Sequence, residues 1–520
     1  MTASVPLADR HHSSTNPDHE VAVLGGGLGG LGAGAMLTRA GIDDFVIVEG
    51  SQRLGGTWRD NVYPNVAVDV PSLAYQFSFE MYPEWTRVFA PGEEIRRYVD
   101  HIADTYRLRP RCRFATTVLG LDYDEDRQWW RVRTSRGTLT ARYVITALGG
   151  LTEPKLPDIA GLAAFGGPVV HSARWPSDLE VAGKHVAIIG TGASAVQIVP
   201  WLAEHAARTS VYQRTPIWVM PKADLAIPRP LRWALDRVPG LHTAMYLLIS
   251  AAAEVLMTLG AVYNRQLRPL TRLVETLGRL YLRRQVPDPQ LRDSLTPTYG
   301  FGCKRPTMSN DYLRAFGRGD VELVTAPIES VTTTGIRTAD GRHREVDLIV
   351  CATGFLVTEA ENMPRVPTVG RDGKDLGTFW EQHRLQAYEG TTVPGFPNLF
   401  HTFGPYSVIG TSWLFMIEYQ VTHAIRVITE TQRRGAISAE IRREHHDAYF
   451  RDVLRRMRDT VFFANNCTTS HSYYFDRHGD APLLRPSTMF EAWWRARHFD
   501  LDHYAYRTAA PPHAEPLAAS

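Results

Sequence analysis

Cysteine is scarce. The 520-residue chain has four, Cys112, Cys303, Cys351 and Cys467. No two stand as C-x-x-C, which excludes a local redox dithiol and a zinc knuckle. No metal site is expected, and the wide spacing suits a reducing cytoplasm. An excess of one charge is also missing, with 57 basic residues against 55 acidic ones. A nucleic-acid partner usually needs a basic face, so none is expected. The first residues, 1–18, are polar and lack an apolar h-region. They read as a disordered tail rather than a signal peptide, and 509–520 read the same way. Long apolar runs are absent except for "AMYLLISAAAEVLMTLGAV", Ala244–Val262, which is about one bilayer span long. Glu254 interrupts it.

Glycine is plentiful and placed with a pattern. "EVAVLGGGLGGLGAGAMLTRAGIDDFVIVEG", Glu20–Gly50, reads as strand, turn, helix and strand. Gly25, Gly27 and Gly30 form G-x-G-x-x-G, in which the glycines let backbone N–H groups approach a pyrophosphate. The second strand closes on Glu49, an acid placed to bind a ribose 2′-hydroxyl. A second copy, "HVAIIGTGASAVQIVPWLAEHAARTSVYQRTP", begins at His185. Gly190, Gly192 and Ala195 form G-x-G-x-x-A. Its second strand ends in Gln213-Arg214-Thr215 instead of an acid. A guanidinium there suits a 2′-phosphate, which a carboxylate would repel.

Two dinucleotide sites in one chain imply hydride passing between cofactors, and FAD with NADPH is the natural pair. The missing C-x-x-C removes a disulfide acceptor, leaving a small molecule or O2. "RQWWRVRTSRGTLTARYVI" reads as a hairpin into a strand ending near Gly150, and "EVDLIVCATGF" as a later parallel strand. The expected fold is α/β, with two interleaved Rossmann-like domains and a helical insertion. FAD-binding parts are expected at 19–152 and 353–508. NADP-binding parts are expected at 153–227 and 285–352, with the insert at 228–284.

Three further stretches carry a resemblance. "FGGPVVHSARWP", residues 165–176, fits F-x-G-x-x-x-H-x-x-x-W-P with Phe165, Gly167, His171, Trp175 and Pro176. "GGTWRDNVYPNVAVDVPSLAYQFSF", residues 55–79, supplies Gly55, Gly56, Trp58, Tyr63, Pro64 and Asp69 in a second pattern. "GCKRPTMSNDYLRAFGRGDVELV", residues 302–324, supplies Lys304 and Arg305. Together these resemble the type I Baeyer–Villiger monooxygenases, within the class B flavoprotein monooxygenases, from about Glu20 to Tyr506. Asn65 stands where the family usually has Gly or Met, and Asn tolerates a left-handed turn.

The resemblance implies an enzyme that oxygenates a ketone to an ester or lactone through a C4a-peroxyflavin, and the apolar, Arg-rich insert 228–284 suits a lipophilic one. Gly56, Thr57, Trp58, Asp69 and Tyr75 would line the FAD side. Ser194, Gln197, Arg214, Thr215 and Lys304 would serve NADPH. Arg305 would be the fixed cation of the active site, held by Asp69, and His171 would couple domain movement rather than act as a base. The insert lies between Arg214 and Lys304, which would serve one nucleotide. Ala244–Val262 is therefore expected as a buried helix or lid in a cytoplasmic protein, with peripheral membrane contact as the alternative. "FGP", Phe403–Pro405, would lie near the flavin, and Tyr406, Trp413 and Phe415 would shape the pocket. S- or N-oxygenation, an uncoupled NADPH oxidase and a non-catalytic FAD/NADP-binding redox module stay open as rival functions. The sequence sets no oligomeric state.

Overall fold

A computed structural model describes residues 16–359, 362–408 and 412–508. The tail readings for 1–15 and 509–520 lie outside the described residues. Asp18, expected in the tail, is instead tied to the fold. Its carboxylate accepts from the Thr140 backbone N–H and hydroxyl.

The chain enters through β1 (His19–Leu24), α1 (Leu28–Arg39) and β2 (Phe45–Val48). Then come α2 (Thr57–Asp60), α3 (Gly92–Thr105) and β3 (Cys112–Arg113). β4 (Val118–Asp124), β5 (Trp129–Thr134) and β6 (Gly137–Thr146) follow as an antiparallel meander that contains the expected hairpin. β1 and β2 are continuous apolar runs because both faces of their sheet are covered. Val21, Val23, Phe45 and Ile47 face one core with α1. Ala22, Leu24, Val46 and Val48 face another, which holds Trp130, Trp380 and Phe396.

A second sheet is built from β7 (Val169–His171), β8 (His185–Ile189), the helix α4 (Ala193–His205) and β9 (Arg208–Tyr212). Two short strands, β10 (Val219–Met220) and β11 (Thr307–Met308), pair in parallel across the insert. β12 (Val321–Val324) returns to the second sheet. A small antiparallel sheet, β13 (Ile328–Val331), β14 (Gly335–Thr338) and β15 (His343–Glu345), precedes β16 (Leu348–Cys351). The second sheet is parallel throughout, in the order β12-β9-β8-β16-β7.

β17 (Thr368–Val369) and β18 (Leu399–His401) go back to the first sheet. Its order is β17-β4-β5-β6-β1-β2-β3, with β18 paired to β6. The two Rossmann-like units are thus interleaved, as expected.

The insert is helical. It comprises α5 (Arg229–Arg237), α6 (Leu241–Ala253), a π-helical stretch Glu254–Leu259, α7 (Gly260–Val262) and α8 (Arg268–Gln285). Among the described residues no helix is long and apolar enough to cross a membrane. The buried-helix expectation for Ala244–Val262 holds for one face only. Ala244, Leu247 and Leu248 are exposed, because α6 turns its polar side chains inward.

After the insert come α9 (Pro289–Leu295), α10 (Tyr312–Ala315) and α11 (Leu376–His383). The C-terminal part holds α12 (Trp413–Arg433), α13 (Arg443–Met457), α14 (Val461–Ala464) and α15 (Met489–His498). α12 packs against α1, whose small residues allow a close approach. A Cβ on Gly32 would stand 2.6 Å from the Phe77 ring and 3.0 Å from Ile417.

Candidate active site

Two glycine turns repeat one geometry. Gly25 has φ +109°, and a Cβ there would lie 2.5 Å from the Ala147 carbonyl oxygen, just past β6. Gly190 has φ +111°, and its Cβ would lie 2.5 Å from the Ala352 carbonyl oxygen, just past β16. Each turn is pressed against the C-terminal end of a neighbouring parallel strand, where α/β sheets bind ligands. A Cβ on Gly30 would meet the Gly25 carbonyl at 1.8 Å, so the third glycine serves helix-to-strand packing. Gly27 and Gly192 open α1 and α4 with no side-chain cap, which leaves their first N–H groups for a ligand.

Glu49 is buried beside the first turn. It accepts from the Gly26 and Ser51 N–H groups, both at 2.7 Å, and from Arg59 Nη1 at 2.9 Å. No motif in the sequence marks Arg59 as its partner. Gly56 comes back against this turn, with φ +51° and its Cα side facing Gly27. Thr57 and Trp58 then begin α2. Trp58 Nε1–H donates to the Tyr75 hydroxyl at 3.0 Å, and the two rings meet edge to face.

The same stretch reaches the second domain. Tyr63 pairs with Ser194. Gln197 makes two hydrogen bonds to the Ala67 backbone, donating at 3.1 Å and accepting at 3.2 Å. Asn65 lies between them with φ +62°, the left-handed conformation that asparagine tolerates.

Asp69 and Arg305 are 236 residues apart and form a bidentate pair. Nη2 donates to Oδ1 at 2.9 Å, and Nε donates to Oδ2. Burial by itself would raise the Asp69 pKa. The charge and hydrogen bonds of Arg305 outweigh it and hold the carboxyl below its usual range. Burial would likewise weaken the Arg305 charge, but Asp69 reverses that and raises its pKa. Lys222 adds positive charge near Asp69. Tyr75, Tyr473 and Tyr474 stand within electrostatic reach of Arg305.

The position of Arg305 is fixed from both sides. After it, the Thr307 N–H donates to the Trp218 carbonyl at 2.9 Å as β11 pairs with β10. Before it, Cys303 is disulfide-bonded to Cys467, with Cα atoms 5.2 Å apart. This corrects the expectation of reduced, separate cysteines. The partners are 164 residues apart, and no local motif marks them. The bridge ties the Arg305 segment to the loop carrying His471, Tyr473 and Tyr474. His471 Nδ1 lies 3.2 Å from Thr215 Oγ1, so this loop also reaches the second nucleotide turn. Thr191 Oγ1 donates to the Thr215 carbonyl at 2.8 Å and closes that turn.

Lys304 and Arg214 converge. Burial, and then the nearby Arg214 charge, lower the Lys304 pKa to about 8. Two cations within electrostatic reach of each other, with no carboxylate acting on Lys304 among the described residues, fit a phosphate dianion. The two glycine cradles, Glu49 beside one and this cation pair beside the other, fit one dinucleotide with a free ribose and one with a 2′-phosphate.

A Baeyer–Villiger monooxygenase of Streptomyces coelicolor is 39% identical to this chain over 507 residues, covering 96% of it and 95% of the relative. This chain belongs to the Baeyer–Villiger monooxygenase family. The family model for pyridine nucleotide-disulphide oxidoreductases matches residues 22–229. An oxidized steroid monooxygenase bound to NADP superposes with a TM-score of 0.82 at 27% identity, covering 94% of this chain and 99% of its own. A complex of OTEMO with FAD and NADP gives a TM-score of 0.82 at 25% identity, with coverage of 94% and 99%.

In this Baeyer–Villiger family member His171 stands apart from the ion pair. Among the described residues no hydrogen bond or ring contact joins it to Asp69 or Arg305. It is buried at the end of β7, paired with Cys351 of β16. Its Nδ1 accepts from the Ala173 N–H at 3.1 Å, and its ring meets Phe355 edge to face. Burial lowers its pKa and favours the neutral ring. Trp175 of the same motif packs edge to face on Trp201 of α4. The ring contacts of the connector, His171 on Phe355 and Trp175 on Trp201, are packing contacts. Phe403 stacks on Trp413 at 5.0 Å and closes over Gly150. Tyr406 and Phe415 are core residues, packed on Phe450 and Tyr419 respectively.

Proposed function

We propose that this chain is an FAD-containing, NADPH- and O2-dependent Baeyer–Villiger monooxygenase that converts a lipophilic ketone to an ester or lactone. The observation that carries the reading is the bidentate Asp69–Arg305 pair, whose aspartate lies in residues 55–79, a stretch that touches the first glycine turn through Gly56 and α4 through Ala67. The FAD-binding parts are 19–152 and 353–508, and the NADP-binding parts are 153–227 and 285–352. Gly25, Gly27, Gly30, Glu49, Gly56, Thr57, Trp58 and Tyr75 hold FAD. Gly190, Gly192, Ser194, Gln197, Arg214, Thr215 and Lys304 hold NADPH. Bound FAD supplies O2 activation, with reducing equivalents drawn from NADPH.

The chain's own residues do the rest. Arg305 keeps its charge at any working pH. It faces the negative charge that develops on the ketone oxygen and lowers the barrier without reorienting. Asp69 locks the guanidinium fork and neutralises its burial cost. His171 is a positioning residue, coupling the connector to the strand ends of the NADP-binding unit. Lys304 and Arg214 select the 2′-phosphate. A lipophilic ketone accords with the steroid monooxygenase among the structural relatives. A peripheral membrane contact of 244–262 belongs to the same reading, since such ketones partition into lipid.

The test is NADPH consumption by the FAD-loaded protein with cyclic, aryl and long-chain ketones. Ester, peroxide and sulfide oxidation are quantified together. Ester formed in step with NADPH is the expected result. Peroxide alone, or sulfoxide with no ester from any ketone, overturns the ketone reading.

A further inference from the structure

α6 is built inside out. The side chains it turns into the protein include His242, Tyr246 and Ser250, followed by Glu254 at the next turn. His242 Nε2 lies 3.0 Å from Gln76 Nε2, and Glu254 Oε1 accepts from the Met489 N–H at 2.7 Å. The opposite face carries Thr243, Ala244, Leu247, Leu248, Ala251, Ala252 and then Val255, all exposed. Leu247 is 59% exposed and Leu248 69%. A surface helix of a water-soluble domain normally does the reverse. Ordinary folding gains nothing from this outer face, so something apolar must meet it.

The face continues onto neighbouring helices. The Glu254–Met489 hydrogen bond joins the end of α6 to the start of α15, where Phe490 is 70% exposed and clusters with Trp493 and Trp494. On the other side α5 offers Trp233, 65% exposed, between the exposed Arg229 and Arg237. Indole rings beside arginines suit the boundary between lipid tails and headgroups.

Charge selects the occupant. The insert 228–284 has nine arginines and three acidic residues, in a chain that is otherwise balanced. Two of those acids face inward onto backbone N–H groups, Glu254 on Met489 and Glu275 on Phe301. α8 repeats the basic pattern, with exposed Leu273, Leu277 and Leu280 between Arg272, Arg279 and Arg283. A second copy docking this face on itself would set like charges opposite one another. An anionic bilayer matches both the leucines and the arginines.

We infer that the outer face of α6, flanked by α5 and the start of α15, docks in the interfacial layer of an anionic phospholipid membrane. The contact is peripheral, since no described helix can span. This extends the membrane contact of the proposed function, yet vesicle binding and oxygenation are measured separately, so either can fail without the other.

The test is sedimentation of the full FAD-loaded chain with vesicles of phosphatidylcholine alone or mixed with phosphatidylglycerol. Binding is expected to the mixed vesicles, to weaken with salt, and to fall roughly fivefold for each of Arg229→Gln and Arg237→Gln. Leu247→Ser combined with Leu248→Ser should lose about tenfold or more, with thermal unfolding and turnover of a water-soluble ketone unchanged. Equal binding to both vesicle types, no binding, or binding untouched by the leucine pair overturns the proposal. So does a dimer in light scattering that the leucine pair dissociates, which would make a second copy the occupant.

Discussion

Lys304 is next to Arg305 in the chain and next to Arg214 in space. Burial, and then the nearby Arg214 charge, lower its pKa to about 8. Lys304 is charged below that pH and neutral above it, so its help to a 2′-phosphate is present below about pH 8 and lost as pH rises. kcat/KM for NADPH should fall through about pH 8, because this ratio reports the free enzyme. NADH, with no 2′-phosphate, should show no such fall, and Lys304→Arg should flatten the NADPH profile. At this scale the sequence was informative where family motifs fix a residue, as at Asp69, Arg305, Lys304 and Asn65. It was silent where the partner is distant and unmarked. Nothing near Glu49 named Arg59, and nothing near Cys303 named Cys467.

The elements show how a local rule becomes a site. Both glycine turns were legible because a Cβ at Gly25 or Gly190 would strike a carbonyl of the next strand, and sequence records that as glycine. The connector 165–176 was legible as a motif, but its packing of Trp175 on Trp201 and His171 on Phe355 was not. α6 was legible as apolar; which face it buries depends on His242, Tyr246 and Glu254 finding polar partners inside. The Cys303–Cys467 bridge is the element-scale device that joins the Arg305 segment to the loop of His471, Tyr473 and Tyr474. Cys303→Ser with Cys467→Ser should lower unfolding stability by about 2–5 kcal/mol, and reductant should do the same to the parent. Calorimetry with and without reductant checks it. A double variant as stable as the oxidised parent would mean the bridge does not form in solution.

On the scale of the whole molecule, two sheets interleave and a C-terminal part locks the first of them. The alternation was legible from two copies of one strand-turn-helix-strand pattern, with later apolar strands returning to each. The lock was not legible. Glu389 is buried between Arg485 and Arg495, and its oxygens are shared between the two guanidiniums. Burial would raise its pKa, but the two arginines hold it at about 2. A carboxyl depressed in the fold stabilises above its unfolded pKa, about 4.5, and loses that contribution as pH falls towards 2. Glu389→Gln should cost about 3 kcal/mol near neutral pH, because it leaves the buried Arg485 and the partly exposed Arg495 with a neutral partner. The variant should also lose part of the parent's stability change between about pH 4.5 and 2, as read by denaturant unfolding across that range.

The most direct measurement is ester formed per NADPH consumed by the parent, Arg305→Ala and Asp69→Ala, with NADPH binding measured on each. Ester should fall by about a hundredfold or more in Arg305→Ala while the nucleotide still binds, and Asp69→Ala should show a smaller loss in the same direction. Ester at the parental ratio in Arg305→Ala would contradict the role given to the Asp69–Arg305 pair.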